Sequence, residues 1–403
     1  LENQMFTPRE REGIRRSIKA ILELLWRTGE ILLNKPLVEA ERDNIIHFLT
    51  EKFPPALEIV DRRFLDAADD FGVRSMENDA PLMPRFRLGN WVGGDRDGHP
   101  FVTASFTEET LDKFRQSALV FWSERLNALR RSVTLSVFAQ KPPPGLLRVL
   151  ARGLPGDAFR VSRDEEPWGS LVDLMLLRLP GRSTSVPAYR NATELREDLT
   201  RLGAFLNDVG ADRIVDRFVL PEIRLVDTFG FHLDSLDIRQ KSAFHEKAMG
   251  QLLDAAGIEG GRSFPDWSEE RKVALLAREL AVSRPFSQPG TQLGEEAREA
   301  VTSLRRVAES MQRFGRRGIG SLIISMTRSL SDLLVAYALC REAGLTRMTE
   351  KGPVCLMRVT PLFETLDDLE RCVGILDALV SFPMTRNSLP WLDSSMDDRL
   401  AAG

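Results

Sequence analysis

Residues 320–343 read GSLIISMTRSLSDLLVAYALCREA. Gly320 to Met326 has the character of a strand, and Ser331 to Ala343 follows as a helix. Between them, Ser329-Leu330-Ser331-Asp332 forms a capping box. A hydroxyl and a carboxylate three residues apart can satisfy the free N–H groups that open a helix. The order repeats downstream: Val354 to Leu362 reads as a strand and Leu366 to Leu379 as a helix, with Thr365-Leu366-Asp367-Asp368 as a second capping box. Upstream, a strand over Phe231 to Arg239 leads into a helix from Ser242 to Ala256. Two further helices, Ser268 to Ser283 and Glu295 to Phe314, precede the next strand. Strand, tight turn and helix in repetition predict a parallel sheet. Such a sheet puts its turn residues at the carboxyl ends of the strands, where α/β proteins place their chemistry.

Toward the amino end the period becomes helical. Ile14, Ile18, Ile21, Leu24 and Leu25 share one face and predict a buried stripe. Helices are expected over Val38 to Phe53 and over Ala56 to Phe71, the second starting after Pro54-Pro55. A short extended segment, Arg85 to Val92, enters a glycine-rich stretch, and a long helix runs from Thr107 to about Leu135. Residues 141–190 hold Pro142-Pro143-Pro144, Pro155-Gly156 and Pro180-Gly181 around one helix, Gly169 to Leu179, and read as a mobile surface excursion. Helices resume from Ala192 to Thr228. The expected organisation is a helical part over 1–84, a strand and loop over 85–106, a helical insertion over 107–228, a β/α portion over 229–380, and a loop or tail over 381–403.

Composition excludes several classes. The chain has 403 residues, 43% hydrophobic and 28% charged, with formal net charge −4. That apolar content suits packed cores rather than disorder. The near-neutral balance argues against nucleic acid as a partner. No apolar run of about 18 residues occurs, so no membrane-spanning helix is expected. No charged segment followed by an apolar one opens the chain, so no signal peptide is expected in this stretch. Cys340, Cys355 and Cys372 show no Cys-x-x-Cys spacing, which fits a reduced, cytoplasmic protein. Most basic residues are Arg, which base composition alone can explain, or which can supply forks for carboxylate and phosphate oxygens.

The chemistry-bearing stretch is GNWVGGDRDGHPFVT, residues 89–103. Its glycines let backbone turn sharply and approach a ligand. Asp95, Arg96 and Asp97 concentrate charge beside the rigid wall of Trp91, and His99 can reach a substrate. An EF-hand counted from Asp95 would need Gly and Glu where Pro100 and Phe106 stand, so a calcium loop is excluded. In Phe231 to Arg239, Leu236 and Ile238 share one face and Asp237 and Arg239 the other. That pattern fits a barrel lumen opening into a site, or a structural salt bridge between the two charges. Glu364 ends a strand directly before a capped helix, where it can ligate a hard cation or serve the helix start. The four histidines, His47, His99, His232 and His245, lack the spacing of a helical zinc motif. Gly318-Ile319-Gly320 precedes a strand rather than following one and is not a dinucleotide fingerprint.

Together these motifs resemble the phosphoenolpyruvate carboxylase family. Trp91-Val92-Gly93-Gly94-Asp95-Arg96-Asp97-Gly98-His99-Pro100 is similar to that family's W-M-G-G-D-R-D-G-N-P, with Val for Met and His for Asn. Leu236-Asp237-Ile238-Arg239-Gln240 resembles its L-D-I-R-Q strand. Ile324-Ser325-Met326 with Ser331-Asp332, and Pro361 to Leu369 (PLFETLDDL), resemble two further segments in the same order. The resemblance spans essentially the whole chain.

It implies a mostly helical α/β fold around an eight-stranded (β/α) barrel of the TIM type, working as a homotetramer. The reaction implied joins bicarbonate to phosphoenolpyruvate with Mg2+ or Mn2+, giving oxaloacetate and phosphate. Arg239 would bind substrate phosphate or carboxylate, and Glu364 would be one of two metal carboxylates. Arg96 and Trp91 would line the phosphate and bicarbonate side, with Asp95 and Asp97 orienting Arg96, and Gly93, Gly94 and His99 would join Trp91, Asp95 and Asp97 in binding substrate. The family's histidine segment, its second metal carboxylate and its arginine-bearing H-G-R-G-G segment have no counterpart in these 403 residues. Only four of eight strands are expected, near 86–92, 232–239, 320–326 and 354–362. The chain thus reads as an internal fragment or one partner of a split enzyme, inactive alone. The alternative is a non-catalytic relative acting as a helical scaffold or regulatory partner.

Overall fold

The computed structural model describes residues 7–27, 37–71, 84–97, 101–153, 165–288 and 290–393. Four parallel strands carry the site: β1 (Gly89–Asn90), β2 (Ser235–Lys241), β3 (Ile319–Ser325) and β6 (Arg358–Pro361), in the order β1-β2-β3-β6. Between the last two, β4 (Thr346–Thr349) and β5 (Gly352–Cys355) form a separate antiparallel hairpin. The single strand expected over Val354 to Leu362 is therefore two strands in two sheets. Gly352 takes φ +111 at the hairpin turn, and the Leu356 N–H is drawn back to the Leu345 carbonyl at 2.8 Å, so the chain cannot run straight into β6.

Each parallel strand of the repeat is followed by its helix: Ser242–Ala255, Leu330–Glu342 and Leu366–Ser381. Both capping boxes form. Thr365 Oγ1 accepts from the Asp368 N–H at 3.2 Å, and Asp368 Oδ2 accepts from the Thr365 N–H at 3.2 Å. Asp332 Oδ2 accepts from the Ser329 N–H at 3.3 Å. The Leu330–Glu342 helix is buried on all sides because it packs beneath the sheet and against its neighbouring helices.

Two hydrophobic clusters organise the described residues from Arg42 onward. One joins β2, β3 and the helices of the β/α portion, with Leu111 and Phe114 reaching in from the Ala104–Ser132 helix. The other is helical, built on Trp122, Trp168, Leu195 and Phe229. Residues expected to form a mobile excursion belong partly to this second cluster: Leu146, Leu150, Trp168 and Tyr189 are buried. Prolines start the helices Pro144–Gly153 and Pro167–Arg178 rather than excluding them, since a helix's first N–H groups need no partner within it. Pro54 and Pro55 likewise lie in the first turn of Phe53–Asp70, which a π-turn (Phe48–Lys52) joins to Val38–His47. The expected loop over 381–403 contains a helix, Pro383–Asp393, whose Met384 and Leu392 are buried.

Residues 1–41 form a separate compact unit. Its helix, Pro8–Arg27, has the predicted stripe, but none of its residues is buried; Ile14, Ile18, Ile21, Leu24 and Leu25 are all exposed. Periodicity sets which residues share a face; burial also requires a surface to meet it.

Candidate functional site

The site grows from the alternation in β2. Leu236 and Ile238 turn into the core, while Arg239 and Lys241 emerge at the carboxyl end of the strand. Asp237 does not pair with Arg239; its Oδ1 lies over Gly320 and accepts the Ser321 N–H at 2.6 Å. Burial raises the Asp237 carboxyl above its ordinary range, opposed by that hydrogen bond.

The glycine-rich stretch docks beside β2. Gly94 and Asp95 donate to the Trp91 carbonyl at 2.8 and 2.9 Å, closing a turn in which Gly93 takes φ +91. The Arg239 N–H donates to the Gly94 carbonyl, and the Arg96 N–H to the Arg239 carbonyl, each at 3.0 Å. Gly94 is required by this approach, because a Cβ there would lie 2.0 Å from the Asp237 carbonyl oxygen.

Three carboxylates surround the Arg239 guanidinium. Asp95 Oδ2 is 3.4 Å from Nη1, and Asp97 Oδ2 and Glu364 Oε1 are 3.3 and 2.9 Å from Nη2. Among the described residues the buried Arg239 Nε has no hydrogen-bond partner, and the Trp91 ring lies 5.7 Å from the guanidinium carbon. Asp97 also accepts from Lys241 Nζ at 2.8 Å and from Ser325 Oγ at 2.6 Å. Burial works against its charge, but the Lys241 and Ser325 hydrogen bonds and the charges of Lys241 and Arg239 hold its carboxyl below the ordinary value. Glu364 Oε2 accepts the Met326 N–H at 3.1 Å. Met326 sits at φ +54, a left-handed conformation costly for a residue with a side chain, and Ser242 Oγ donates to its carbonyl at 2.7 Å.

Arg96 goes the other way. Its guanidinium donates to Thr107 Oγ1 at 2.7 Å, stands 3.8 Å from Glu299, and is 7% exposed. Burial pulls its pKa down to about 10, against the pull of Glu299 and Asp95. Arg96 was expected to line the substrate side, oriented by Asp95 and Asp97; the structure brings both carboxylates to Arg239, and Asp95 also acts on Arg96 through its charge. Trp91 is half-exposed beside the cluster, and Gly93 and Gly94 are buried under it. His99 lies outside the described residues. Sequence reasoning missed Lys241, although it stands two residues beyond Arg239 on the same strand face. It also missed the strained Met326, for which no local signal existed.

The phosphoenolpyruvate carboxylase family model matches residues 1–395. The chain belongs to this family. It is 34% identical to a phosphoenolpyruvate carboxylase of Chromobacterium violaceum, over 98% of this chain and 43% of the relative. It is 30% identical to one from Methylorubrum extorquens, over 97% of this chain and 44% of the relative. The chain thus spans less than half the length of these relatives. No helix among the described residues is long and apolar enough to cross a membrane.

Among the described residues no group of three or more His, Cys, Asp or Glu side chains could hold a metal ion. Both Glu364 oxygens are occupied, by Arg239 and by the Met326 amide. The described residues do not by themselves make a metal centre.

Proposed function

We propose that this chain carries the Arg239 half of a phosphoenolpyruvate carboxylase site, in a part of a TIM-type (β/α) barrel. The longer protein would convert phosphoenolpyruvate and bicarbonate to oxaloacetate and phosphate. The supporting observation is Arg239 itself: a guanidinium at the carboxyl end of a parallel strand, beside Trp91, held by Asp95 and Asp97. Two anions must meet in this reaction, and a fixed arginine offsets their repulsion and the charge that develops in the transition state. An incoming phosphate or carboxylate displaces Glu364, the most exposed of the three carboxylates, while Asp95 and Asp97 keep the fork aimed. Asp97 is held in turn by Lys241 and Ser325, so the fork has a supported frame.

Glu364 is the residue this chain would offer to Mg2+ or Mn2+, and other ligands would have to come from elsewhere in a longer protein. On this reading the 403-residue chain binds phosphoenolpyruvate without turning it over, and the longer protein assembles as a homotetramer. The test has two arms. Phosphoenolpyruvate should quench Trp91 fluorescence in this chain, and Arg239→Gln should abolish the response. Phosphate release by the longer protein should require both bicarbonate and magnesium; release independent of bicarbonate would remove the carboxylase reading. A non-catalytic scaffold would show neither response.

A further inference from the structure

The Glu364 carboxylate sits as a bound anion would. Its Oε1 accepts from Arg239 Nη2 at 2.9 Å, and its Oε2 accepts from the Met326 N–H at 3.1 Å. One oxyanion thus spans a guanidinium and a backbone amide, with one oxygen on each. Guanidinium and backbone N–H donors are the groups with which proteins hold carboxylates and phosphates.

The amide in this pair is held in place by strain. β3 ends at Ser325, so the Met326 N–H has already left the ladder of the sheet. A left-handed φ of +54 is costly at a methionine and persists only where the surroundings enforce it. Here the enforcement comes from every side. Ser325 Oγ donates to Asp97 Oδ2 at 2.6 Å, and Ser242 Oγ donates to the Met326 carbonyl at 2.7 Å. The Thr327 N–H donates to the Leu362 carbonyl at 3.2 Å, and Thr327 Oγ1 donates to the Ile324 carbonyl at 2.7 Å. Ser242, Ser325 and Thr327 are all buried, so the turn is fixed from within the fold. Its result is one N–H aimed at the same carboxylate that Arg239 holds. That carboxylate is the loosest of the three on Arg239. The Glu364 side chain is 31% exposed, against 18% for Asp95 and 9% for Asp97, and Asp97 is tied to Lys241 and Ser325 as well.

We propose that the Met326 N–H and Arg239 Nη2 form a two-point oxyanion seat, occupied by Glu364 in this structure and by an anionic group of phosphoenolpyruvate when substrate binds. The inference rests on the reading of Arg239 given above. It adds a second anion-binding group and gives the left-handed Met326 a purpose. Carboxylate and phosphate each present two acceptor oxygens on one centre, so either end of phosphoenolpyruvate fits the seat.

Isotopic labelling of the methionine nitrogens makes the Met326 amide visible by NMR. Met326→Leu and Met326→Ala each keep the N–H and delete the label, so either variant identifies the signal. Phosphoenolpyruvate should move that signal saturably, with a midpoint within about twofold of the Trp91 fluorescence titration. Arg239→Gln should weaken the response by about tenfold or more, as loss of a charged donor requires. In Glu364→Gln the signal should start elsewhere, because the carboxylate is gone, and phosphoenolpyruvate should still move it. Of pyruvate and inorganic phosphate, titrated separately, the one that moves the signal at lower concentration identifies the end of the substrate in the seat. A Trp91 response with an unmoved Met326 signal would overturn the seat and leave the Arg239 reading standing; silence from both would remove the two together. A Met326 response that vanishes in Glu364→Gln would report only the departure of Glu364, and one unchanged in Arg239→Gln would place the anion elsewhere. Either result would refute the seat.

Discussion

Gly94→Ala adds one methyl group and tests the docking of the glycine-rich stretch directly. The new Cβ would start 2.0 Å from the Asp237 carbonyl oxygen, a backbone atom that cannot swing aside. Restoring an ordinary contact of about 3.2 Å requires roughly 1.2 Å of separation. The two backbone bonds that tie the stretch to β2, Arg239 N–H to Gly94 O and Arg96 N–H to Arg239 O, are each 3.0 Å long. Stretched by that amount they pass about 4 Å and are lost. At about 0.5–1.5 kcal/mol each, the substitution should cost about 1–3 kcal/mol of stability. The same shift carries Asp95 and Asp97 off Arg239, so phosphoenolpyruvate binding should fall by more than the stability loss alone explains. Urea unfolding with a constant slope measures the first effect, and Trp91 fluorescence titration of the folded protein the second. A midpoint and an affinity both equal to wild type would show that the loop does not need its close seat on β2.

Other expectations follow from the same geometry. Glu364→Gln removes a carboxylate that competes for Arg239, so phosphoenolpyruvate should bind this chain severalfold more tightly in Trp91 titrations without metal, while turnover by the longer protein is lost; weaker binding would contradict the displacement step. Arg96→Met takes away a buried, sparsely paired charge and should change stability by less than about 2 kcal/mol, with phosphoenolpyruvate binding far less affected than in Arg239→Gln. A loss of binding equal to that of Arg239→Gln would return Arg96 to the site. Burial, eased by the Asn90 hydrogen bond and aided by the charge of Asp237, raises the Asp234 pKa to about 7. A carboxyl whose folded pKa is raised stabilises the fold below its unfolded pKa near 3.8, and that contribution is lost as pH climbs through about 7. Chemical denaturation should show this decline, roughly 2–4 kcal/mol across the window, and Asp234→Asn should flatten it.

Much of the β/α portion was legible because several local signals agree there. At Ser329–Asp332 and Thr365–Asp368 the capping chemistry, the strand before and the helix after all give one answer, and the helix starts fall within a residue of expectation. The β4–β5 hairpin was not legible, because only Leu356–Met357 break the run Val354–Leu362, whose composition still reads as one strand. The exposed Pro8–Arg27 stripe shows the opposite limit, since the pattern was right and its burial was not encoded in it.

The separation of Arg96 from Asp95 and Asp97 has a local cause. Asp95, Arg96 and Asp97 run beside β2, tied to it by a backbone bridge between Asp95 and Arg239. Past that bridge the chain turns rather than extends, and the Asp97 N–H donates to Asp95 Oδ1 at 3.0 Å. The turn brings Asp97 back beside Asp95, both against Arg239, and leaves Arg96 on the other side. The two aspartates then need a cation from another segment, and β2 supplies Arg239 and, two residues on, Lys241. Arg96 in turn needs an acceptor behind the loop and finds Thr107 and Glu299 on the helices beneath. Reading the triplet as a charged cluster grouped residues that the turn separates. Reading it as a turn assigns two carboxylates to Arg239 and one arginine to pin the loop on the helices beneath.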